Sequence, residues 1–264
     1  FQPSGGDVMC FYKCPDINTG EVVTSSDGGL TWSDWQPVGD GLTGPIKNKP
    51  VQLDDGTILS PSSTQGPGRI HVERSTDNGQ TWTKIGPMTG VDHGVIQPTI
   101  LVHSQTKLQI LMRTGDHSAD AKMPQTWSTD AGLTWEPITY NTLPNNDCGF
   151  DGVTLADGRH LLVYNHSTRN APGTGNKGRA VLNVAVSNDG VNWEAALVLD
   201  YRDDGSRYTY AGVIQGHDGL VYVSYTWHRK RIKHVVINPN ALETYPIANG
   251  EWPKDQIPWV VSPK

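Results

Sequence analysis

Three side chains in this 264-residue sequence have the chemistry to move a proton or attack an electrophilic carbon, and each stands near the end of a predicted strand. Tyr210 carries a phenol suited to covalent or proton-transfer work. His166 follows an apolar run and has a ring that titrates near neutral pH, as a general base requires. Asp151, with Asp147 nearby, offers a carboxylate. The alternatives are a core or stacking role for Tyr210 and a structural role for His166.

Two arginines stand where a carboxylate could be clamped. Arg113 follows the apolar run Leu108 to Met112, and Arg231 begins the last predicted strand, inside the basic stretch 228–234. A guanidinium fork is the preferred partner of a carboxylate, so two converging arginines would indicate an acidic ligand. The alternatives are a surface ion pair of Arg113 with Asp116 and a solvated charged loop around Arg231.

Four further polar residues fall at equivalent strand ends and complete the predicted binding set: Lys49, Gln97, His228 and Tyr208. Tyr208 and Tyr210 are two residues apart on one strand, so the period of two predicts that both side chains point to the same side.

The elements that must position these residues are β-hairpins. Asp-Gly pairs separate short apolar runs at Asp55-Gly56, Asp157-Gly158 and Asp218-Gly219, which is a strong local hairpin signal. The first strand of a hairpin starts at the rim where the second strand ends. If the hairpins are arranged in a ring, the candidate residues therefore meet at one opening of the channel that the ring encloses. An opening lined by polar residues suits a carbohydrate.

A repeat of about 50 residues organises the chain. Four segments read S-x-D-x-G-x-T-W or nearly so, and their aspartates are Asp27, Asp77, Asp130 and Asp189. The steps between them are 50, 53 and 59 residues (77−27, 130−77 and 189−130). Such a period suits one four-stranded antiparallel sheet per repeat, and a fifth hairpin set follows without the segment. The sequence predicts an all-β propeller with about five blades in this chain.

These four segments, called the Asp turns below, have the composition of a tight turn. The carboxylate can accept from backbone N–H groups, and glycine supplies the positive φ. We expect each segment's tryptophan to pack between sheets; these are Trp32, Trp82, Trp135 and Trp193.

Composition excludes several classes of protein. The 29 glycines and 18 prolines indicate many turns, and the net charge of −6 with no basic run beyond His228 to Lys233 argues against nucleic-acid binding. No apolar run approaches the ~18 residues of a membrane helix, so membrane insertion is not expected. The sequence has no Gly-rich phosphate loop, no Cys-x-x-Cys and no His-x-x-x-His, so neither a metal nor a cofactor is predicted.

The Asp turns resemble the Asp box of the sialidase superfamily of BNR-repeat propellers. Further stretches resemble its exo-alpha-sialidase-like branch, which includes uronate lyases such as rhamnose-glucuronate lyases: 44–50, 70–75, 162–166 and 231–235. The resemblance covers nearly the whole chain and implies one propeller domain over 1–264 with a C-terminal tail at 241–264. Members have six or seven blades, so either the chain is truncated or another chain or segment completes the ring.

Sialidases of this superfamily grip the substrate carboxylate with three arginines, use a tyrosine assisted by a glutamate as nucleophile, and use an aspartate as acid. By resemblance Arg113 and Arg231 correspond to two of the arginines, and Tyr210 corresponds to the tyrosine. The first arginine and the acid have no match here, since Phe1 to Ser4 stands where a Phe-Arg-Ile-Pro-like stretch is expected. In the related lyases, Arg or Lys neutralises a uronate and His or Tyr removes its C5 proton.

Two functions remain open from the sequence. The first is an enzyme that cleaves a terminal carboxylate-bearing sugar from an acidic glycan, by sialidase-like hydrolysis or by uronate elimination. The second is a lectin-like propeller whose polar mouth binds glycan without turnover. Polymeric acidic glycans lie outside cells, so an extracellular protein is expected.

Overall fold

The computed structural model describes residues 1–13, 19–64 and 68–260. By its contacts the chain divides into two compact units. Unit 1 comprises Phe1–Ile110 and Thr126–Ile138, and unit 2 comprises Leu111–Gln125 and Thr139–Lys264. The last four residues of the predicted tail, 261–264, lie outside the described residues.

The first three sheets follow one another in sequence order. The strands are β1 (Val8–Lys13), β2 (Gly20–Ser25) and β3 (Gln36–Pro37), then β4 (Val51–Gln52), β5 (Ile58–Ser63), β6 (Ile70–Ser75) and β7 (Thr83–Ile85), then β8 (Val95–Val102), β9 (Leu108–Thr114), β10 (Lys122–Ser128) and β11 (Thr139–Pro144). Each strand is hydrogen-bonded to the next one in its sheet.

Unit 2 contains the last two sheets. Their strands are β12 (Asp151–Thr154), β13 (His160–Tyr164), β14 (Val181–Ser187) and β15 (Glu194–Tyr201), then β16 (Tyr208–Gln215), β17 (Val221–Trp227) and β18 (Arg231–Ile237), and finally β19 (Tyr245–Pro246). Three short 3₁₀ helices lie at Asn176–Gly178, Pro239–Ala241 and Ala248–Gly250. Within the described ranges, no helix has the length and apolarity to cross a membrane.

The five antiparallel sheets are the blades of a β-propeller, as the repeat predicts. Their sizes depart from the expected four strands, because the sheets have three, four, four, five and three strands in the described residues. The fifth strand of the fourth sheet is β19, which pairs with β15 through Glu194↔Pro246 and Ala195↔Tyr245. The described part of the C-terminal tail is therefore built into a blade.

The predicted Asp-Gly hairpins are confirmed. Gly56, Gly158 and Gly219 adopt positive φ of 86°, 88° and 80°, the left-handed conformation that glycine takes without a steric penalty. The backbone closes each turn, for example with Leu155 N donating to Arg159 O at 2.7 Å. These turns fix which ends of the paired strands lie together.

Each Asp turn closes on its own carboxylate. In the second, Asp77 Oδ1 accepts from the backbone N–H of Thr81 at 2.9 Å, and Oδ2 accepts from the Thr81 hydroxyl at 2.5 Å. The Thr81 hydroxyl and backbone bonds, with Ser75, hold the pKa of Asp77 at about 2. In the fourth turn the amide of Asn192 replaces the threonine hydroxyl, donating to Asp189 Oδ2 at 2.8 Å.

The expectation that all four Asp-turn tryptophans are buried is wrong. Trp193 is only 3% exposed, but Trp32 is 45% exposed, and Trp82 and Trp135 are partly exposed. All four indole N–H groups instead donate to the carbonyl of the turn glycine, as Trp32 does to Gly29 O at 3.1 Å. The tryptophan therefore closes the turn in all four segments, whereas its burial depends on whether neighbouring residues cover the ring.

The core of unit 2 lies between the fourth and fifth sheets. It is formed by alternating residues that share an inward face, among them Leu161, Val163, Val184, Val213 and Val223. Tyr208 and Tyr225 are fully buried in the same cluster. This core carries the strand ends that hold the candidate site described below.

Candidate functional site

Asp147 is the centre of a charged cluster in unit 2. Its Oδ1 accepts from Arg113 Nε at 2.8 Å and from Nη2 at 2.7 Å. Its Oδ2 lies 2.8 Å from Arg169 Nη1 and 3.0 Å from His117 Nε2. Arg113 therefore pairs with Asp147, whereas the alternative considered from the sequence was Asp116.

Hydrogen bonds hold the loop that carries Asp147 in place. The backbone of Asp147 is left-handed, with φ of 56°, and its carbonyl accepts from the buried Arg179 Nη2 at 2.7 Å. The neighbouring Asn146 amide donates to Gly178 O at 2.6 Å. Backbone and side-chain bonds together hold the carboxylate in one position, so the arginines on it are fixed as well.

Tyr210 lies beside this cluster and is 40% exposed. Arg113 Nη1 donates to its phenol oxygen at 3.4 Å. Tyr210 sits at a β-bulge, because the register of β16 on β17 shifts between Thr209 and Gly212. Its φ is 55°. A bulge re-aims a side chain, and here it turns the Tyr210 phenol away from the core and toward solvent.

Tyr208 does not share the side of Tyr210, and that prediction is wrong. Tyr208 is fully buried in the core of unit 2, because the bulge at Tyr210 breaks the alternation on which the period-two argument rests. Its hydroxyl lies 3.2 Å from His228 Nε2, and the two rings meet edge to face. Tyr208 and His228, both predicted to bind ligand, thus contact each other, with Tyr208 serving as a core residue.

Left-handed residues recur in or just before the first strands of four sheets, β4, β8, β12 and β16. Lys47, Gln97, Asp147 and Tyr210 all have φ between 53° and 72°, although none is glycine. The steps between them are 50, 50 and 63 residues (97−47, 147−97 and 210−147). Strained backbone of this kind is frequent at functional sites. Two of these residues, Asp147 and Tyr210, contact Arg113.

Arg231 lies near Tyr210, and the sequence predicts that both residues are at the same opening of the channel. Both line an open depression of about 560 Å³, together with Arg229, Lys230 and Ile232. The Arg231 guanidinium lies 5.9 Å from the centre of the Trp227 ring. The depression is rich in cations and carries the exposed face of Tyr210, so it suits an anionic ligand.

His166 is not a base that titrates near neutral pH, and it does not line the depression that holds Tyr210. It is buried, its Nδ1 lies 2.5 Å from the Tyr164 hydroxyl, and its Nε2 lies 3.0 Å from Gly250 O. Burial lowers the pKa of His166 to about 3, with a smaller contribution from the charges of Lys122 and Lys254. The imidazole therefore remains neutral in the folded protein.

The burial of His166 gives the protein a pH dependence. Its folded-state pKa lies below the ordinary value of 6.5. As the pH falls below ~6.5, the unfolded chain takes up the proton first, and the free energy of unfolding should fall by up to about 1.4 kcal/mol per pH unit. Urea unfolding at pH 7 and pH 5 measures this loss.

A matched pair of variants isolates the residue responsible. His166→Gln should reduce the difference between pH 7 and pH 5, whereas His217→Gln, at an exposed histidine, should leave it as in the wild type. An unchanged pH dependence in His166→Gln would show that other groups account for it.

Asp151 is a structural carboxylate rather than an accessible one. It is buried, Oδ1 accepts from Gly152 N at 2.9 Å, and Oδ2 accepts from Val213 N at 2.9 Å. The second bond links β12 to β16. Asp147, four residues earlier, is the carboxylate that reaches the arginines.

Lys49 and Gln97 lie in unit 1 and stay predictions as ligand-binding residues. Both are partly exposed. The amide of Asn48, the residue before Lys49, donates to Gln97 O at 3.2 Å and to Pro98 O at 2.9 Å. The strand start that carries Gln97 is thus held by a buried asparagine, in the same manner as the loop of Asp147.

The cluster carries a positive charge, because Arg113 and Arg169 pair with one carboxylate and Arg179 bonds to the carbonyl of the same residue. Burial acts to lower the pKa of Arg113, but the charge and hydrogen bonds of Asp147 outweigh it, so the pKa is raised. In the described part of the chain Arg169 makes its contacts through Nη1. Its other amino group can donate to the carboxylate of a ligand.

No group of three or more His, Cys, Asp or Glu residues within the described ranges is arranged to hold a metal ion. The cluster presents arginine, histidine, aspartate and tyrosine side chains. Sequence reasoning missed Arg169, Arg179 and His117, which lie in loops without periodicity. Asp147 provided the one signal, a carboxylate just before a predicted strand.

The protein is an all-β propeller that carries an arginine-rich cluster in its second unit. The chain belongs to the family of BNR repeat-like domains, whose model matches residues 1–223. A search of curated protein sequences gave no match.

Several solved structures share the fold at low identity. The NanB sialidase of Streptococcus pneumoniae is 15% identical with a TM-score of 0.64, and the match covers 85% of this chain and 36% of that one. The intramolecular trans-sialidase of Ruminococcus gnavus is 16% identical with a TM-score of 0.64, covering 92% and 61%. The α-L-arabinanase of Penicillium chrysogenum is 16% identical with a TM-score of 0.65, covering 93% and 78%.

These likenesses show the fold. The chain spans about a third of the length of NanB. Its structural neighbours include enzymes that process glycans, which is the class of protein considered next.

Proposed function

We propose that this protein is a carbohydrate-active enzyme that cleaves a terminal carboxylate-bearing sugar from an acidic glycan. The observation that carries the proposal is the exposed Tyr210 hydroxyl, 3.4 Å from a guanidinium that Asp147 holds in place. A fixed cation beside a phenol stabilises negative charge that develops on the oxygen as the proton leaves. The fold shared with sialidases and an arabinanase supports a glycan as the substrate.

Two reactions are compatible with this geometry. In hydrolysis, the Tyr210 oxygen would lose its proton to water and attack the anomeric carbon as the bond to the aglycone oxygen breaks, and that oxygen would take up a proton from water. A second water would then displace the Tyr210 oxygen from the anomeric carbon, which releases the sugar and restores the phenol.

In elimination, Tyr210 would act as its phenolate and take the C5 proton of a uronate, and the bond between C4 and the leaving oxygen would break to give a C4–C5 double bond. The leaving oxygen would take the proton back from Tyr210, which restores the phenolate. In both cases Arg113, Arg169 or Arg231 would neutralise the substrate carboxylate.

Glycan binding without turnover is the second candidate function. One observation favours it: His166, the base predicted from the sequence, is buried and bonded to Tyr164 and Gly250 instead of facing Tyr210. The cations around Tyr210 would then hold an acidic sugar without transforming it. For either function we propose an extracellular site of action, because polymeric acidic glycans lie outside cells.

Product analysis separates these candidates. The protein is incubated with a uronate-bearing gum and, separately, with a sialoside. An unsaturated uronate absorbing near 235 nm indicates elimination, and free sialic acid indicates hydrolysis. Release of neither product, combined with measurable binding of the glycan, would favour the lectin-like function and contradict the enzyme.

Arg113→Lys is expected to impair turnover strongly although the charge is retained. A lysine cannot make the two parallel bonds to Asp147 and also reach the Tyr210 hydroxyl. The expected loss in kcat/KM is about tenfold or more, measured on whichever substrate the wild type cleaves.

Arg159→Lys is the matched control, because Arg159 also pairs with one carboxylate oxygen, that of Asp157 at a hairpin turn. It should leave turnover unchanged. Equal activity in both variants would show that the fork of Arg113 has no part in the reaction.

A further inference from the structure

A second cavity of unit 2, of about 350 Å³, is lined by residues outside the Asp147 cluster. Its wall includes Thr168, and the next residue, Arg169, is the one that contacts Asp147. The loop after β13 therefore contributes consecutive residues to two different sites. A volume of this size lies at the lower end for small-molecule pockets.

Aromatic rings form the walls of this cavity. Trp252 is buried, and its indole N–H donates to Ile257 O at 2.9 Å. Its ring centre lies 5.2 Å from that of His166. Trp259 packs against Tyr201 with ring centres 5.3 Å apart. These contacts fix the rings, so the cavity is formed before any ligand arrives.

The cavity holds three strong donor groups, those of Trp259, Lys254 and Lys122. The indole nitrogen of Trp259 is buried and has no hydrogen-bond partner among the described residues. Lys254 holds its ammonium 3.9 Å from the centre of the Trp259 ring. Lys122 is partly buried at the cavity, and within the described ranges neither lysine makes an ion pair with a carboxylate.

The two carboxylates that line the cavity, Asp120 and Glu251, are exposed, as is Lys254, whereas Lys122 is partly buried. Water therefore screens the charges of those three residues more than that of Lys122. A ligand that satisfies an indole N–H and two ammonium groups must itself supply acceptors. A ligand that fits between aromatic walls must also present an apolar ring face.

We propose that this cavity, here called the Trp252 pocket, binds one carboxylate-bearing sugar residue such as a hexuronate. A uronate ring has an apolar C–H face for the aromatic walls and a carboxylate for Lys122 and Lys254. The pocket is distinct from the Arg113 and Tyr210 site, and binding here does not require that site to turn over a substrate.

The test is binding of two matched probes, methyl β-D-glucuronide and methyl β-D-glucoside, which differ in the carboxylate alone. Calorimetry and saturation-transfer NMR on the whole chain should show binding of the glucuronide and much weaker binding of the glucoside. Lys122→Met and Trp259→Phe should each weaken glucuronide binding at this pocket by about tenfold. Trp259→Phe keeps an aromatic ring in the wall and removes the N–H donor together with the five-membered ring.

Two controls decide the location of binding. Trp35→Phe, at a tryptophan that is 59% exposed in unit 1, should bind like the wild type. Arg113→Lys should retain a glucuronide site that Lys122→Met removes. If Arg113→Lys loses all binding and Lys122→Met loses none, the Trp252 pocket is overturned while the proposed function stands. Equal binding of the two probes, or binding of neither, also overturns it.

Discussion

Tyr210→Phe is expected to lower kcat by roughly 10²- to 10⁴-fold, because it removes the oxygen that hydrolysis and elimination both require. The phenylalanine keeps the ring and its place at the bulge of β16, so the fold should be unchanged. The measurement is turnover of whichever acidic glycan the wild type cleaves, with circular dichroism as the check of structure.

Tyr222→Phe serves as the control on the neighbouring strand. Tyr222 also carries a hydrogen-bonded hydroxyl, which donates to Asp218 at 2.5 Å, but it lies at the turn end of β17. Turnover should be that of the wild type. Full activity in Tyr210→Phe would remove Tyr210 from the mechanism, while glycan binding that survives without turnover would match a role in the chemical step.

Trp193→Ala is expected to reduce the free energy of unfolding by about 3–5 kcal/mol, the usual range for a fully buried tryptophan. Trp32→Ala should cost clearly less, because its ring is largely exposed. The two indoles make the same hydrogen bond, to Gly190 O and to Gly29 O, each at 3.1 Å. The comparison therefore isolates burial from turn closure.

Urea unfolding followed by circular dichroism gives both values. Similar losses in the two variants would mean that the indole hydrogen bond, rather than packing, is what the Asp turns contribute to stability.

The fold could be predicted from the sequence because its signals are local. An Asp turn needs only a carboxylate, a glycine and a hydroxyl or amide at fixed offsets, and Asp77 and Asp189 close their turns in this way with different donors. Asp-Gly pairs likewise specify hairpins without help from distant residues. Four repeats then leave few architectures that could accommodate them.

The candidate site could be predicted only in part, because burial and backbone conformation are set by distant residues. Arg113 and Tyr210 do lie together. His166 lies two residues beyond the end of β13, and Trp252 and Gly250, more than eighty residues later, enclose it. Alternation along β16 fails at one bulged residue, which separates Tyr208 from Tyr210. Gly212 is the one residue type in that strand that indicates a bulge, but it does not specify which side chain the bulge turns outward.

The left-handed residues in or just before the first strands of four sheets lower the stability of the fold, and two of them carry side chains of the candidate site. A non-glycine residue in this conformation costs on the order of 1–3 kcal/mol, against a total unfolding free energy of roughly 5–15 kcal/mol for a domain. Four such residues, at 47, 97, 147 and 210, together reduce the free energy of unfolding by an amount comparable to that total. A selection for heat-resistant variants would therefore favour glycine at these positions, and at 147 and 210 it would remove the carboxylate and the phenol of the site.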